Sequence, residues 1–196
     1  MASPPLTAQL DEIVIDNGLL TLSNFDTWKV NMKNNVFGED LWGIIDGSDF
    51  KPYEYSAKYR LSLWEDKNKK AMNAIKASCG PEMLPAILYI KDAKEAWDSL
   101  ALITSSTEHK HRYTMVLAAA QEAKEKLNEF EEADRILTLS NYQTWRAYME
   151  LLLESEYLWD IVDGNECGEM GSMTWSDKNK RALEIINMSC GPIGVI

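Results

Sequence analysis

Apolar residues recur along this chain at helical spacing, in two separate stretches and in the same order. Phe25, Trp28, Met32 and Val36 follow one another at intervals of three, four and four, which places them on one face of a helix. Tyr142, Trp145, Met149 and Leu152 or Leu153 repeat that face further along. Ser23 or Asn24 suits the N-cap of the first helix, and Asp26 lies in its first turn, where the helix dipole favours negative charge. Leu41-Trp42 with Ile44-Ile45 predicts a short second helix stopped by Gly47; Leu158-Trp159 with Ile161-Val162 predicts its counterpart, stopped by Gly164. A third helix is predicted to start near Trp64, with Ser62 as cap and Glu65 in the capping box. Thr174 and Asp177 take those places in the second stretch. Trp64, Met72, Ile75 and Cys79 share its face, as do Trp175, Leu183, Ile186 and Cys190, and Gly80-Pro81 and Gly191-Pro192 end the two helices.

Only the first stretch continues in this pattern. Pro81 to Tyr89 predicts a short helix interrupted by Pro85. Asp92 is placed to cap the next, with Glu95 three residues on, and Ala93, Trp97, Leu100 and Ile103 line its face. After the break at Thr104-Ser-Ser-Thr107, a long helix rich in Ala, Glu, Lys and Leu is predicted over roughly Glu108 to Asp134. No segment alternates convincingly as a strand, and Ile13-Val-Ile15 is too short to carry weight. The predicted fold class is all-α.

The two stretches align residue by residue. Leu22-Ser-Asn-Phe-Asp-Thr-Trp28 matches Leu139-Ser-Asn-Tyr-Gln-Thr-Trp145, and the same offset carries through Gly47 and Gly164. After a loop six residues longer in the first stretch, Trp64 to Pro81 matches Trp175 to Pro192. Residues 22–47 and 64–81 hold 23 identities to their counterparts in 44 positions, which reads as a duplication. The organisation expected is an N-terminal arm (1–19), a first helical module (20–104), a long acidic connecting helix (105–135) and a second module (136–196). The second module lacks counterparts of 82–135 and is read as C-terminally incomplete.

Composition narrows the function classes. With 20 Lys and Arg against 31 Asp and Glu, the net charge is -11, and an acidic surface repels phosphate. Nucleic-acid binding is disfavoured on that ground. Three cysteines, Cys79, Cys167 and Cys190, without a C-x-x-C pair, fit reduced thiols in the cytoplasm or nucleus. No stretch approaches the length of a transmembrane helix, and the N-terminus shows no secretory signal.

Each candidate chemistry has a simpler structural reading. Trp28, Trp42, Trp64, Trp97, Trp145, Trp159 and Trp175 could stack bases, yet their spacing with Met32, Met149 and other aliphatic residues marks them as core. Lys67, Lys69 and Lys70, with Lys178, Lys180 and Arg181, form paired basic helix faces that could contact nucleic acid; solvated faces suit the overall charge better. His109 and His111 do not share a helix face and lack partners at metal spacing. Cys79 and Cys190 have no His near in sequence to act as base. The recurring carboxylates, Asp46 with Asp163 and Asp66 with Asp177, suit helix-end and first-turn positions. No phosphate-binding, zinc-protease or nucleophile-elbow motif is present. No catalytic residue, cofactor or metal is expected.

Taken in order, the motifs are L-S-x-[FY]-x-x-W-x-x-x-M, L-W-x-[IV]-[IV]-D-G, W-x-D-K-N-K-[KR]-A and, at 93–100, A-K-E-A-W-D-x-L. This order resembles the N-terminal part of the Gag polyprotein of copia-type LTR retrotransposons, over about 20–115 and again over 137–192. The resemblance implies a capsid-like helical structural protein that self-associates around element RNA. The C-x-x-C-x-x-x-x-H-x-x-x-x-C zinc knuckle of many Gag proteins is missing, and a second N-terminal segment stands where further capsid helices would follow. A module of about 60 residues buries limited apolar surface and gains by packing on a neighbour. The expected function is therefore noncatalytic, through self-association or contact with another protein. The alternatives are RNA binding through the paired Lys-rich faces, or a remnant of an element without function.

Overall fold

The computed structural model describes residues 18–52, 58–164 and 173–190, with the side chains of Met173 and Thr174 left out. The expected arm over 1–19, the Ile13-Val-Ile15 segment, Cys167 and Gly191-Pro192 lie largely or wholly outside them. Among the described residues every regular element is helical, and the chain divides into two compact units, Met1–Lys110 and His111–Ile196.

In unit 1, α1 (Phe25–Asn31) runs into a π-helical turn (Met32–Phe37), and α2 (Gly38–Asp46) follows. The wide turn places Phe37, five residues after Met32, on the buried side with Val36. The pattern of three, four and four had implied one regular helix here. Gly47 ends α2 in the left-handed conformation. Helix α3 (Lys58–Ser78) begins well before Trp64, so Ser62 is inside the helix rather than at its cap. Leu84–Ile87 forms a 3₁₀ turn, and α4 (Ala93–Thr104) is capped by Asp92, whose Oδ1 accepts from the Glu95 N–H at 3.0 Å.

Trp97 is the hub of the unit 1 core. Its ring stacks on Trp28 at 5.0 Å, meets Phe37 and Trp42 edge-on at 5.7 Å each, and lies 6.0 Å from Phe25. Ala93, Ala96 and Leu100 are buried on the same face of α4. Small residues flanking the indole let α4 approach α2 and α3 closely. The start of α4 is held by Asn68 of α3, whose Oδ1 accepts from Ala93 N at 2.8 Å while its Nδ2 donates to the Lys91 carbonyl at 2.9 Å.

Unit 2 takes in most of α5 (Thr107–Leu127), a 3₁₀ turn (Glu132–Asp134), α6 (Tyr142–Ser155), α7 (Trp159–Asp163) and α8 (Met173–Ser189). Helix α5 stops at Leu127, short of the expected Asp134, because backbone turns at Asn128 to Phe130 replace the helical pattern. Helix α8 begins at Met173, so Thr174 lies within it rather than at its cap. Helix α6 is regular throughout. It breaks from α7 at Tyr157, a non-glycine residue with φ of 60°.

The same local bonds occur in both units. Leu20 N donates to the Ser78 carbonyl at 2.8 Å, and Leu137 N donates to that of Ser189 at 2.8 Å. Asn24 Oδ1 accepts from Thr21 N at 2.7 Å and its Nδ2 donates to Leu19 O; Asn141 Oδ1 accepts from Thr138 N at 2.7 Å and its Nδ2 donates to Ile136 O. Neither Asn makes the forward capping bond expected of its position. Each carboxamide instead folds back on the preceding segment and fixes where the chain enters the unit.

In unit 1 this entry segment is clamped from both sides, because Gly80 N also donates to Leu20 O at 2.9 Å. A Cβ on Gly80 would lie 2.7 Å from that oxygen. The obstruction is backbone and cannot rotate away, so Gly80→Ala is expected to destabilise the unit by roughly 1–3 kcal/mol. Trp97→Ala, which empties the aromatic hub, is expected to destabilise it by about 3–5 kcal/mol. Urea unfolding followed by circular dichroism checks both values.

Candidate functional site

Trp28, Trp64 and Trp97 are buried with Met32, and Met149 is buried in unit 2. Trp42, Trp145, Trp159 and Trp175 are half-buried. The indole N–H of Trp64 donates to Asp49 O at 2.9 Å, whereas those of Trp28 and Trp145 are buried without an acceptor among the described residues. The three buried rings cannot stack on a base.

The nominated cations are not equivalent. Lys67 Nζ lies 2.8 Å from Asp40 and 3.2 Å from Asp49, and these two carboxylates hold its ammonium pKa above the usual value. Both partners sit on the α2 side of the unit, so Lys67 ties α3 to α2 and its loop. Lys69, Lys70 and Lys180 are exposed, Lys178 is half-buried, and Arg181 pairs with Glu184 at 3.7 Å. The face is mixed in charge, with Asp66 and Glu65 also exposed on α3.

Cys79 is buried at the end of α3 beside the parallel bridge to Leu20, and burial pushes its thiol up to about 12. A thiol so disfavoured as an anion is a poor nucleophile. Cys190 is half-buried. His109 Nδ1 lies 2.9 Å from Ser105 Oγ and His111 is exposed. Among the described residues no group of three His, Cys, Asp or Glu is placed to hold a metal ion. Asp46 accepts from Ser48 N at 2.9 Å, and that bond lowers its carboxyl pKa. This is the closed turn after α2.

Among the described residues, two of the shallow concavities lie in unit 1. One, of about 340 Å³, is lined by Asp49, Phe50, Arg60, Leu63 and Trp64 among others. The other, of about 280 Å³, is lined by Leu22, Phe25, Asp26, Thr104 and Lys110 among others. No described helix is long and apolar enough to cross a membrane.

The distinctive surface lies in unit 2 and shows only when matched positions are compared. Ile45 is 2% exposed and its counterpart Val162 is 43%; Met72 is 6% and Leu183 is 54%. Trp28 is buried while Trp145 is half-buried, and Phe25 is half-buried while Tyr142 is exposed. The framework positions do not change in this way: Met149, Leu153, Leu158 and Ala182 are buried like Met32, Val36, Leu41 and Ala71. Unit 1 packs α4 and Trp97 in this region, and no counterpart of residues 82–104 falls among the described residues of unit 2. Hydrophobic periodicity cannot reveal this surface, because both stretches have the same pattern.

Comparison with protein-family models, with curated proteins and with solved structures finds no match to this chain.

In a Cys167→Ser background, Cys79 is expected to react with a thiol reagent at pH 8 far more slowly than Cys190, until denaturant opens unit 1. Because its folded pKa is raised, Cys79 is neutral in both states below about pH 9. Between about pH 9 and 12 the unfolded chain releases the proton while the folded one retains it, so stability falls as pH rises. Cys79→Ala should remove that component of the alkaline slope, as read by unfolding titrations at several pH values.

Proposed function

We propose that this chain is a noncatalytic structural protein of copia Gag type, made of two tandem copies of one capsid-like helical module, that works by protein–protein association in the cytoplasm or nucleus. The motif order L-S-x-[FY]-x-x-W, L-W-x-[IV]-[IV]-D-G, W-x-D-K-N-K-[KR]-A and A-K-E-A-W-D-x-L supports the family reading. The recurrence of the Leu20–Ser78 bond as Leu137–Ser189, and of the Asn24 fold-back at Asn141, supports the tandem reading.

Uncovered apolar surface is the observation that carries the association reading. Met115 and Val116 are neighbours on α5 and both exposed, and Leu139 and Met188 are exposed in the same unit. Isolated exposed apolar residues are common, but several in one small unit mark a contact surface. The RNA alternative is weakened by the ion pairs of Lys67 and Arg181.

Light scattering on a sizing column, over a hundredfold concentration range with and without RNA, tests the proposal. Mass is expected to rise with concentration in the absence of RNA, and Met115→Glu with Val116→Glu should shift the midpoint upward by about tenfold or more. A monomer at every concentration would overturn the self-association reading. Salt-sensitive RNA binding lost on replacing Lys67, Lys69 and Lys70 by Glu would put the nucleic-acid reading in its place.

A further inference from the structure

Helix α5 presents two different faces within unit 2. Ala120 and Ala123 are buried, and Lys124 beside them lies over the ring of Tyr157 at 5.7 Å. Round the helix from that side, Arg112, Met115, Ala118 and Glu122 are exposed, and Ala119 is half-buried next to them. Intervals of three and four set these five residues on one stripe. Met115, 59% exposed, is the large apolar side chain among them. The charge reverses along the stripe. A guanidinium stands at one end, a carboxylate at the other, and two alanines lie between Met115 and the carboxylate.

We propose that this stripe is the contact through which two copies of the chain associate, α5 against α5, antiparallel and about a two-fold axis. The spacing is self-complementary. Met115 lies three positions after Arg112, and Ala119 lies three positions before Glu122. An antiparallel copy that sets its Ala119 on Met115 therefore sets its Glu122 on Arg112. The two-fold axis repeats both contacts, giving two Met–Ala contacts at the centre and one Arg–Glu pair at each end. Ala119 leaves room for the methionine side chain, and Ala118 adds no bulk to hold the helices apart. Glu122 already pairs with Lys126 of its own helix at 2.6 Å. The guanidinium of the second copy joins that pair as a second cation, and its planar fork suits a carboxylate.

Charge complementarity argues for a second copy over other occupants. A stripe that is basic at one end and acidic at the other answers itself when reversed. A parallel copy in the same register would oppose Arg112 to Arg112 and Glu122 to Glu122, which repels. A nucleic-acid backbone would gain at Arg112 and lose at Glu122. The contact works against the charge of -11 on each copy. One helix pair is also small beside the roughly 1,600 Å² of a standard interface. A weak dimer that forms as concentration rises is the expected result.

The inference rests on the reading of the chain as a self-associating protein and names the face and register of that association. Charge exchange in the full chain, followed by sedimentation equilibrium, tests it. Arg112→Glu places like charges at both ends of the contact, and so does Glu122→Arg. Each should raise the dimer dissociation constant by about tenfold or more. An equal mixture of the two variants should associate as the unaltered chain does, because every altered side chain then meets its opposite. The double variant, Arg112→Glu with Glu122→Arg, should associate with itself for the same reason. A purely structural role for either residue predicts no rescue on mixing. Where a single variant loses helix content by circular dichroism, the double variant decides, and its failure to associate overturns the contact. An unaltered chain that associates while both single variants associate equally well, or a mixture no tighter than its components, overturns the α5 contact and leaves the association reading standing. An unaltered chain that stays monomeric throughout overturns both.

Discussion

The packing of Trp97 against four other aromatic rings is the interaction on which unit 1 depends. Helix α4 has 12 residues, too few to be stable alone in water. It exists because its buried stripe has somewhere to go. Each aromatic pair adds about 0.5–1.5 kcal/mol beyond the apolar area it removes from water, and Trp97 makes four such pairs from one side chain. The π-helical turn at Met32–Phe37 serves the same centre, since it turns Phe37 inward to meet the indole edge. In unit 2 the equivalent of Phe37 is Glu154 and the equivalent helix is regular. The irregular turn thus occurs in the unit whose aromatic hub it serves, and the matched helix of unit 2, with Glu154 in place of Phe37, has none.

A second constraint is backbone in nature. The segment before α1 passes through an isolated bridge at Leu20 and a turn at Leu22–Ser23, and its peptide groups must find partners once buried. Leu20 is fully buried, and both its N–H and its carbonyl are satisfied by the chain around Ser78 to Gly80. That approach is so close that only glycine fits at 80. The Asn24 carboxamide completes the arrangement by holding Leu19 and Thr21. One short segment therefore ties the start of the unit to the end of α3, across nearly sixty residues of chain.

Local signals in the sequence were reliable where the physics is local. Gly47 and Gly164 stop their helices through a left-handed residue that glycine adopts without strain. Asp92 caps α4 with the bond its spacing to Glu95 implies. The failures fall where distant residues decide. Ser62 and Glu65 have capping-box spacing, yet α3 has already started at Lys58, with nothing in the three residues between to stop it. Asn24 is a good cap by type, but the entry segment offers its amide a better set of partners. Asn68 carries no local signal, because its task of holding α4 depends on a residue 25 positions away. Lys67 shows the same limit, because its carboxylate partners come from α2 and the following loop.

The contrast between the two units also says what kind of surface unit 2 presents. An Asn inside a helix is less favourable than Ala by roughly half a kcal/mol, and Asn68 offsets this through two bonds to the start of α4. Asn179 carries the same propensity cost with no such bonds. Leu183 and Val162 likewise remain large and apolar where solvent now reaches them. The buried framework beneath, from Met149 and Leu153 to Leu158, Ala182 and Ile185, is closed without them. Unit 2 therefore separates into a core that is complete and a face that is not, and the groups on that face are the ones unit 1 uses to hold a helix.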